Sequence, residues 1–220
     1  MLTTPPGDRS WWAAIESFAL DAYCLRSLPQ VEDHVVVDIG ANIGAFTLAV
    51  CERYPHTRGV AVEPAPRTFA QLRSNLARNT GADSITAIQA AASPNNEPVI
   101  IYQPIGDSTR SSIRAENAGD RAVALSVPSL TLHELLSPFD HVDFMKIDIE
   151  GAEYAIQQDI IRAVSRGNIT RLVIEYHPAD DPGSSAQLLT DLSKAGMTLM
   201  RHERSSTPGV GVAFFSPATT

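Results

Sequence analysis

Short apolar runs of strand length recur along the chain, separated by stretches whose apolar positions repeat at helical spacing. The runs are His34–Asp38, Gly59–Glu63, Ser84–Ala92, His141–Asp148, Thr170–Tyr176, Gly196–His202 and Gly209–Ser216. Most of the intervening stretches carry one apolar face. These are Ala45–Arg53, Pro66–Asn79 (Phe69, Leu72, Leu76), Ala152–Ser165 (Ala152, Ile156, Ile160, Ala163) and Ser184–Ala195 (Leu188, Leu189, Leu192, Ala195). Alternation of this kind predicts a doubly wound, mostly parallel α/β sheet. The last two runs are joined only by Glu203–Pro208, too short for a crossover helix, so an antiparallel hairpin is expected at one edge.

Two segments fall outside the alternation. Apolar residues at 11, 15, 18, 22 and 25 predict a helix from Trp11 to Leu28, so residues 1–30 are expected to cap a main domain spanning 31–220. The stretch Ser93–Ser129 holds Pro94, Pro98, Pro104 and Pro128, strand-like pieces at Val99–Gln103 and Ala122–Val127, and the aperiodic polar run GDSTRSSIRAENAGD. Its length and its place facing the carboxyl ends of the strands predict a lid or substrate loop, with Ser108, Arg110, Ser111, Ser112 and Arg114 as its polar part.

Composition narrows the function. With 44% hydrophobic and 19% charged residues among 220, the chain is a globular protein of about one domain. Its net charge of −8, with no block of Lys or Arg, disfavours nucleic acid and anionic membrane as partners. No apolar run approaches a bilayer span, and the start MLTTPPGDRSWW has neither a basic nor an apolar leader region, so a cytoplasmic location is expected. Cys24 and Cys51 have no metal spacing and are expected as buried free thiols.

The sharpest chemical signal is VVVDIGANIGAFT, Val35 to Thr47, in which a buried strand ends at Asp38 and Gly40, Asn42 and Gly44 precede a helix. Glycines there permit a tight turn and close approach of a ligand, and the helix start offers free amides, as in a nucleotide-like site. The dinucleotide fingerprint needs glycines at 40, 42 and 45; Asn42 and Ala45 stand instead, which argues against an NAD-dependent oxidoreductase. On the next strand, GVAVEP places Glu63 where a carboxylate accepts both hydroxyls of a ribose.

DIGANIG, then VEP with Asn75 and Asn79 on the following helix, then VDFMKIDIEGAE and LVIEYH together resemble the FkbM-like family of S-adenosylmethionine-dependent methyltransferases over roughly Val31 to His177. The resemblance implies a seven-stranded sheet in the order 3-2-1-4-5-7-6 with S-adenosylmethionine across the ends of its first two strands. It implies that Asp38 and the backbone from Gly40 through Ala41 and Asn42 to Gly44 hold the methionine end. Glu63 and Pro64 would take the ribose, Ala91 in Ala90–Ala92 would lie beside adenine, and Ser111, Ser112 and Asp148 would add polar contacts.

Methyl transfer is an in-line displacement, so the acceptor must be aligned, and a hydroxyl acceptor must also lose a proton. Lys146 and Asp148 share a strand face by period two, as do Glu175 and His177, while Glu150 opens the loop after the fourth strand. His177 is the candidate general base, with Glu175 and Asp148 beside it; Asp148, Glu150, Glu175 and His177 are alternatively an oxygen-rich site for Mg²⁺. Glu153 is expected in the first turn of a helix, complementing its dipole. The family resemblance implies O-methylation of a small-molecule hydroxyl on a secondary metabolite or sugar, with an amide or carbamate nitrogen as the alternative acceptor. An adenosyl-binding interaction protein without turnover is the reading from a different class.

Overall fold

The computed structural model describes residues 2–4, 15, 23, 25, 34–104, 111–113, 122–179, 181 and 183–218. The expected helix over 11–28, the cap over 1–30 as a unit, Cys24, and Ser108, Arg110 and Arg114 lie outside the described residues.

Seven strands form the central sheet: β1 (Val35–Ile39), β2 (Arg58–Val62), β3 (Ile85–Ile88), β8 (Phe144–Ile147), β9 (Leu172–Tyr176), β10 (Met197–Arg204) and β11 (Gly211–Pro217). The order is β10-β11-β9-β8-β1-β2-β3, which is 3-2-1-4-5-7-6 when the sheet's own strands are counted along the chain. All pairings are parallel except β10 with β11 and β11 with β9, so the expected edge hairpin is present. β1 lies between β2 and β8, with Asp38 opposite Ala61 on one side and Lys146 on the other. The chain reverses direction across the sheet at this point, which opens a crevice at the strand ends.

Burial of both faces explains the unbroken VVVDI run. Val35, Val37 and Ile39 pack with Ile160, Leu188 and Leu192 on one side, while Val36 packs with Phe46, Leu72 and Phe144 on the other. Helices α1 (Ala45–Arg53) and α2 (Pro66–Ala77) cover the second face; α3 (Leu132–Leu136), α4 (Gln157–Val164) and α5 (Ser184–Lys194) cover the first. Local signals set their starts. Pro66 occupies the first turn of α2, and Thr131 and Glu134 form a reciprocal capping box at α3. Cys51 is a buried free thiol, pushed up to about 12 by burial and therefore inert.

Three boundaries differ from the sequence expectation. The run Ser84–Ala92 is not one strand: β3 ends at Ile88, and Ala91–Ala92 (β4) leave the sheet to pair in parallel with Ser129–Leu130 (β7). This pairing ties together the two ends of the 93–129 insertion, whose pieces β5 (Val99–Pro104) and β6 (Ala122–Val127) form an antiparallel hairpin. The fourth run begins at Phe144 rather than His141, because the Asp143 carboxylate accepts from the amide of Val35 and only a single bridge joins Val142 to Ile169. The helix expected from Ala152 starts at Gln157 instead. Glu150 and Gly151 take positive φ values of 54° and 101°, and the amides of Ile149 and Gly151 both donate to Glu153 Oε1, so a compact turn replaces the first helical turn. Glu153 therefore does not complement a helix dipole.

Among the described residues no helix is long and apolar enough to cross a membrane. The parallel registry of β1 and β2 leaves no room for a side chain at Gly59, where a Cβ would stand 1.8 Å from the carbonyl oxygen of Val36. Gly59→Ala is expected to lower the unfolding free energy by about 2 kcal/mol or more in a urea titration. A loss below about 0.5 kcal/mol would show that the β1–β2 registry yields easily.

Candidate active site

The turn after β1 is built by close approach. Gly40 has φ 82°, and a Cβ on it would lie 1.7 Å from the carbonyl oxygen of Asp148, so only glycine lets the β1 and β8 ends meet. The amides of Gly40 and Ala41 both donate to Val62 O at 2.9 Å, which locks the turn to β2. Gly44, φ 86°, opens α1, and Asn75 on α2 donates from Nδ2 to Ile43 O at 2.8 Å.

A cleft lies over these strand ends. Of the residues expected at the cofactor, Gly40, Asn42, Glu63, Pro64, Ala91 and Asp148 line it, and Ser111 and Ser112 bring the insertion into its wall beside Ile101 and Ile113. Asp38 does not line the cleft. It is fully buried behind the loop, where Thr47 donates to Oδ2 at 2.6 Å. Ala41 and Gly44 shape the turn without lining the cleft.

Charge is concentrated beneath the loop. Lys146, 4% exposed, donates from Nζ to Asp148 Oδ2 at 3.1 Å and to Gly40 O at 3.3 Å, and stands 3.7 Å from Asp38 Oδ1. Burial works against this ammonium, but Asp148 and Asp38 among its neighbours hold it charged, well above the ordinary lysine value. Burial raises Asp38, and Lys146 and Thr47 offset this only in part. Glu63 accepts from the amides of Asn42 (3.0 Å) and Ala65 (2.9 Å). Burial outweighs those donors and lifts Glu63 to about 7.

A cluster of ionisable side chains is assembled around His177, which is buried at the end of β9. Its Nδ1 lies 3.1 Å from Oε1 of Glu153, a fully buried carboxylate, and its Nε2 lies 3.4 Å from Glu150 and 3.9 Å from Glu175. Tyr154 donates to the His177 carbonyl at 2.7 Å. Burial opposes the imidazolium, but Glu153, Glu150 and Asp148 overcome it and lift His177 to about 10. Glu175 is raised by burial and by Asp148. Asp148, Glu175 and His177 each offer an atom within 4.8 Å of the others. The fold thus brings the four sequence candidates together and adds Glu153, which takes the orienting position on the imidazole that the sequence left to a strand neighbour. The signal for Glu153 was present in the GAE tripeptide, but it read as an ordinary helix start.

The methyltransferase FkbM domain is matched over residues 38–197. The chain is 28% identical over 174 residues to "Methyltransferase sdnD" of Sordaria araneosa, an alignment covering 66% of each sequence. In fold it is similar to a precorrin-6y C5,15-methyltransferase of Geobacter metallireducens (TM-score 0.53, 17% identity, 90% of this chain and 86% of that one). It is also similar to the fibrillarin of Aeropyrum pernix solved with natively bound S-adenosyl-L-methionine (TM-score 0.52, 14% identity, 93% and 76%).

Glu63 gives the site a pH signature. Its folded value of about 7 exceeds the free value of 4.5, so between the two the folded state holds a proton that the unfolded chain has lost. Stability contributed by this group therefore falls as pH rises from 4.5 to about 7, by about 1–3 kcal/mol. Glu63→Gln is expected to flatten that part of the urea-derived stability profile and to weaken S-adenosylhomocysteine binding about tenfold in calorimetry. An unchanged profile would move the retained proton to another group.

Proposed function

The chain belongs to the FkbM family of methyltransferases and is an S-adenosylmethionine-dependent enzyme, and from that premise we propose that it methylates a hydroxyl oxygen of a small molecule, with His177 taking the proton. The observation that carries this reading is the held imidazole: Nδ1 is fixed by buried Glu153, which leaves Nε2 to face the acceptor side.

Three features support cofactor binding in the cleft. Gly40, whose missing Cβ lets the β8 end close against the turn, lines the cleft with a residue that has no side chain. Asn42 Oδ1 is buried in the cleft wall with no hydrogen-bond partner among the described residues. The Glu63 carboxylate, held by two amides, presents its remaining lone pairs there, as ribose hydroxyls require. Gly40, Asn42, Glu63, Pro64, Ala91, Ser111, Ser112 and Asp148 would hold the group. When bound, it supplies an electrophilic methyl carbon on a sulfonium.

The chain's own residues supply the rest. A neutral hydroxyl becomes a competent nucleophile as its proton passes to Nε2 of His177, and the resulting imidazolium is stabilised by Glu153 on Nδ1 and by Glu150 and Glu175 near Nε2. Glu153 also fixes which ring nitrogen is turned away from it, toward Glu150 and Glu175, as the buried acid orients the imidazole in a hydrolase triad. The insertion contributes Ile101 and Ile113 as apolar lining of the cleft, which disfavours water beside the reacting groups.

The raised value of His177 sets the pH dependence. The imidazole must be neutral to accept a proton, so turnover on a hydroxylated acceptor is expected to rise from pH 7 toward about 10. Glu153→Gln should move that rise to lower pH, because it removes the strongest group favouring the imidazolium. His177→Ala is expected to cut turnover about 100-fold or more while leaving S-adenosylhomocysteine affinity within about threefold; loss of binding instead would assign His177 to the scaffold. Activity is expected to survive EDTA. Loss on chelation with recovery in Mg²⁺ would replace the bare imidazole by a cation among Asp148, Glu175 and His177, and turnover on amide nitrogen alone would replace the hydroxyl acceptor.

A further inference from the structure

The loop between β8 and α4 is held from two sides. From the inside, Glu153 Oε1 accepts from the amides of Ile149 and Gly151, both at 3.2 Å. From the outside comes a residue of the insertion. Ser112, 1% exposed, donates its hydroxyl to the carbonyl of Glu150 at 2.5 Å. Ser112 is itself fixed to the hairpin by paired backbone bonds with Tyr102, at 2.7 and 3.1 Å. Between these anchors stands Glu150, a residue with a Cβ at φ 54° and with its Oε2 3.4 Å from Nε2 of His177.

We propose that Ser112 is a positioning residue: by holding the Glu150 carbonyl it keeps Glu150 in the left-handed conformation that turns its carboxylate toward His177. The inference rests on the reading of His177 as proton acceptor and adds a residue 65 positions away in the chain to its control. A non-glycine residue in the left-handed region is disfavoured by an amount comparable to one good hydrogen bond, so removing that bond frees the backbone to relax. Glu150 and Ser112 both line the cofactor cleft as well. One hydroxyl therefore couples the insertion, which walls the cleft, to one of the carboxylates that raise the proton affinity of His177.

Among the described residues, the charged groups facing His177 are Glu153 and Glu150 from the loop, Asp148 after β8 and Glu175 on its own strand, with Lys146 behind the carboxylates. Moving Glu150 away removes one negative charge from Nε2, so the titration midpoint of His177 falls.

The experiment is an NMR titration of the His177 ring in the full chain, which needs neither cofactor nor acceptor. Wild type is compared with Ser112→Ala, Ser112→Thr, Glu150→Gln and the Ser112→Ala/Glu150→Gln double variant, each checked by thermal melting. Ser112→Ala is expected to lower the midpoint by about one unit, Ser112→Thr to retain the wild-type value, and the double variant to match Glu150→Gln. A Ser112→Ala midpoint equal to wild type while that of Glu150→Gln falls would overturn the positioning role and leave His177 as proton acceptor. A shift in Ser112→Thr as large as in Ser112→Ala would overturn it too, since the hydroxyl would then not be the cause. An ordinary midpoint in wild type would overturn both this inference and the raised basicity on which the proposed function draws.

Discussion

A single buried ammonium joins the two strand ends on which both halves of the site are built. Lys146 Nζ reaches Asp148 on its own chain segment, and Asp38 and the Gly40 carbonyl across the β1–β8 pair. Asp38 is fully buried and Asp148 partly exposed beside it, so the two carboxylates repel each other and Asp38 would be costly to keep charged alone. The lysine between them makes the arrangement tenable, and Asp38 opposite Lys146 in the strand register is what allows the reach. Gly40 completes the junction by giving up the Cβ that would collide with Asp148.

From that junction the chain runs in two directions with two chemical tasks. Toward α1, Gly40, Asn42 and Gly44 shape a tight loop whose amides are tied to β2 and to Glu63. Toward α4, Asp148 leads into the tight turn through Glu150 and Gly151, which Glu153 organises from within. Glu153 does three things with one oxygen: it accepts two amides and the His177 ring. A carboxylate used in this way is fully buried because its partners surround it, and the same burial strengthens its hold on the imidazole.

Much of this was legible beforehand because it depends on local pattern. The unbroken apolar run VVVDI, the GANIG turn and the acid at the end of β2 are consequences of short-range sterics, and they placed Gly40, Asn42 and Glu63 at one cleft over the strand ends. The resemblance in KIDIEGAE and LVIEYH brought Asp148, Glu150, Glu175 and His177 to one edge. The errors came where long-range partners override a local preference. Ala91–Ala92 read as the end of β3, yet pair with Ser129–Leu130. The residues from Ala152 read as helix, yet are bent into a turn by hydrogen bonds to a side chain inside it.

The sequence by itself determined the alternation of elements, the sheet order through its family resemblance, the edge hairpin, and the residue types at the strand ends. These follow from side-chain periodicity and turn chemistry, which act over a few residues. Only the tertiary structure decided which carboxylate meets which nitrogen: Glu153 rather than Glu175 on His177 Nδ1, Lys146 between Asp38 and Asp148, and Ser112 on the Glu150 carbonyl. Those choices are made at distances of about 3 Å between groups many residues apart. Strand register, a left-handed backbone and the path of the insertion fix them together, and no short stretch of sequence records that geometry.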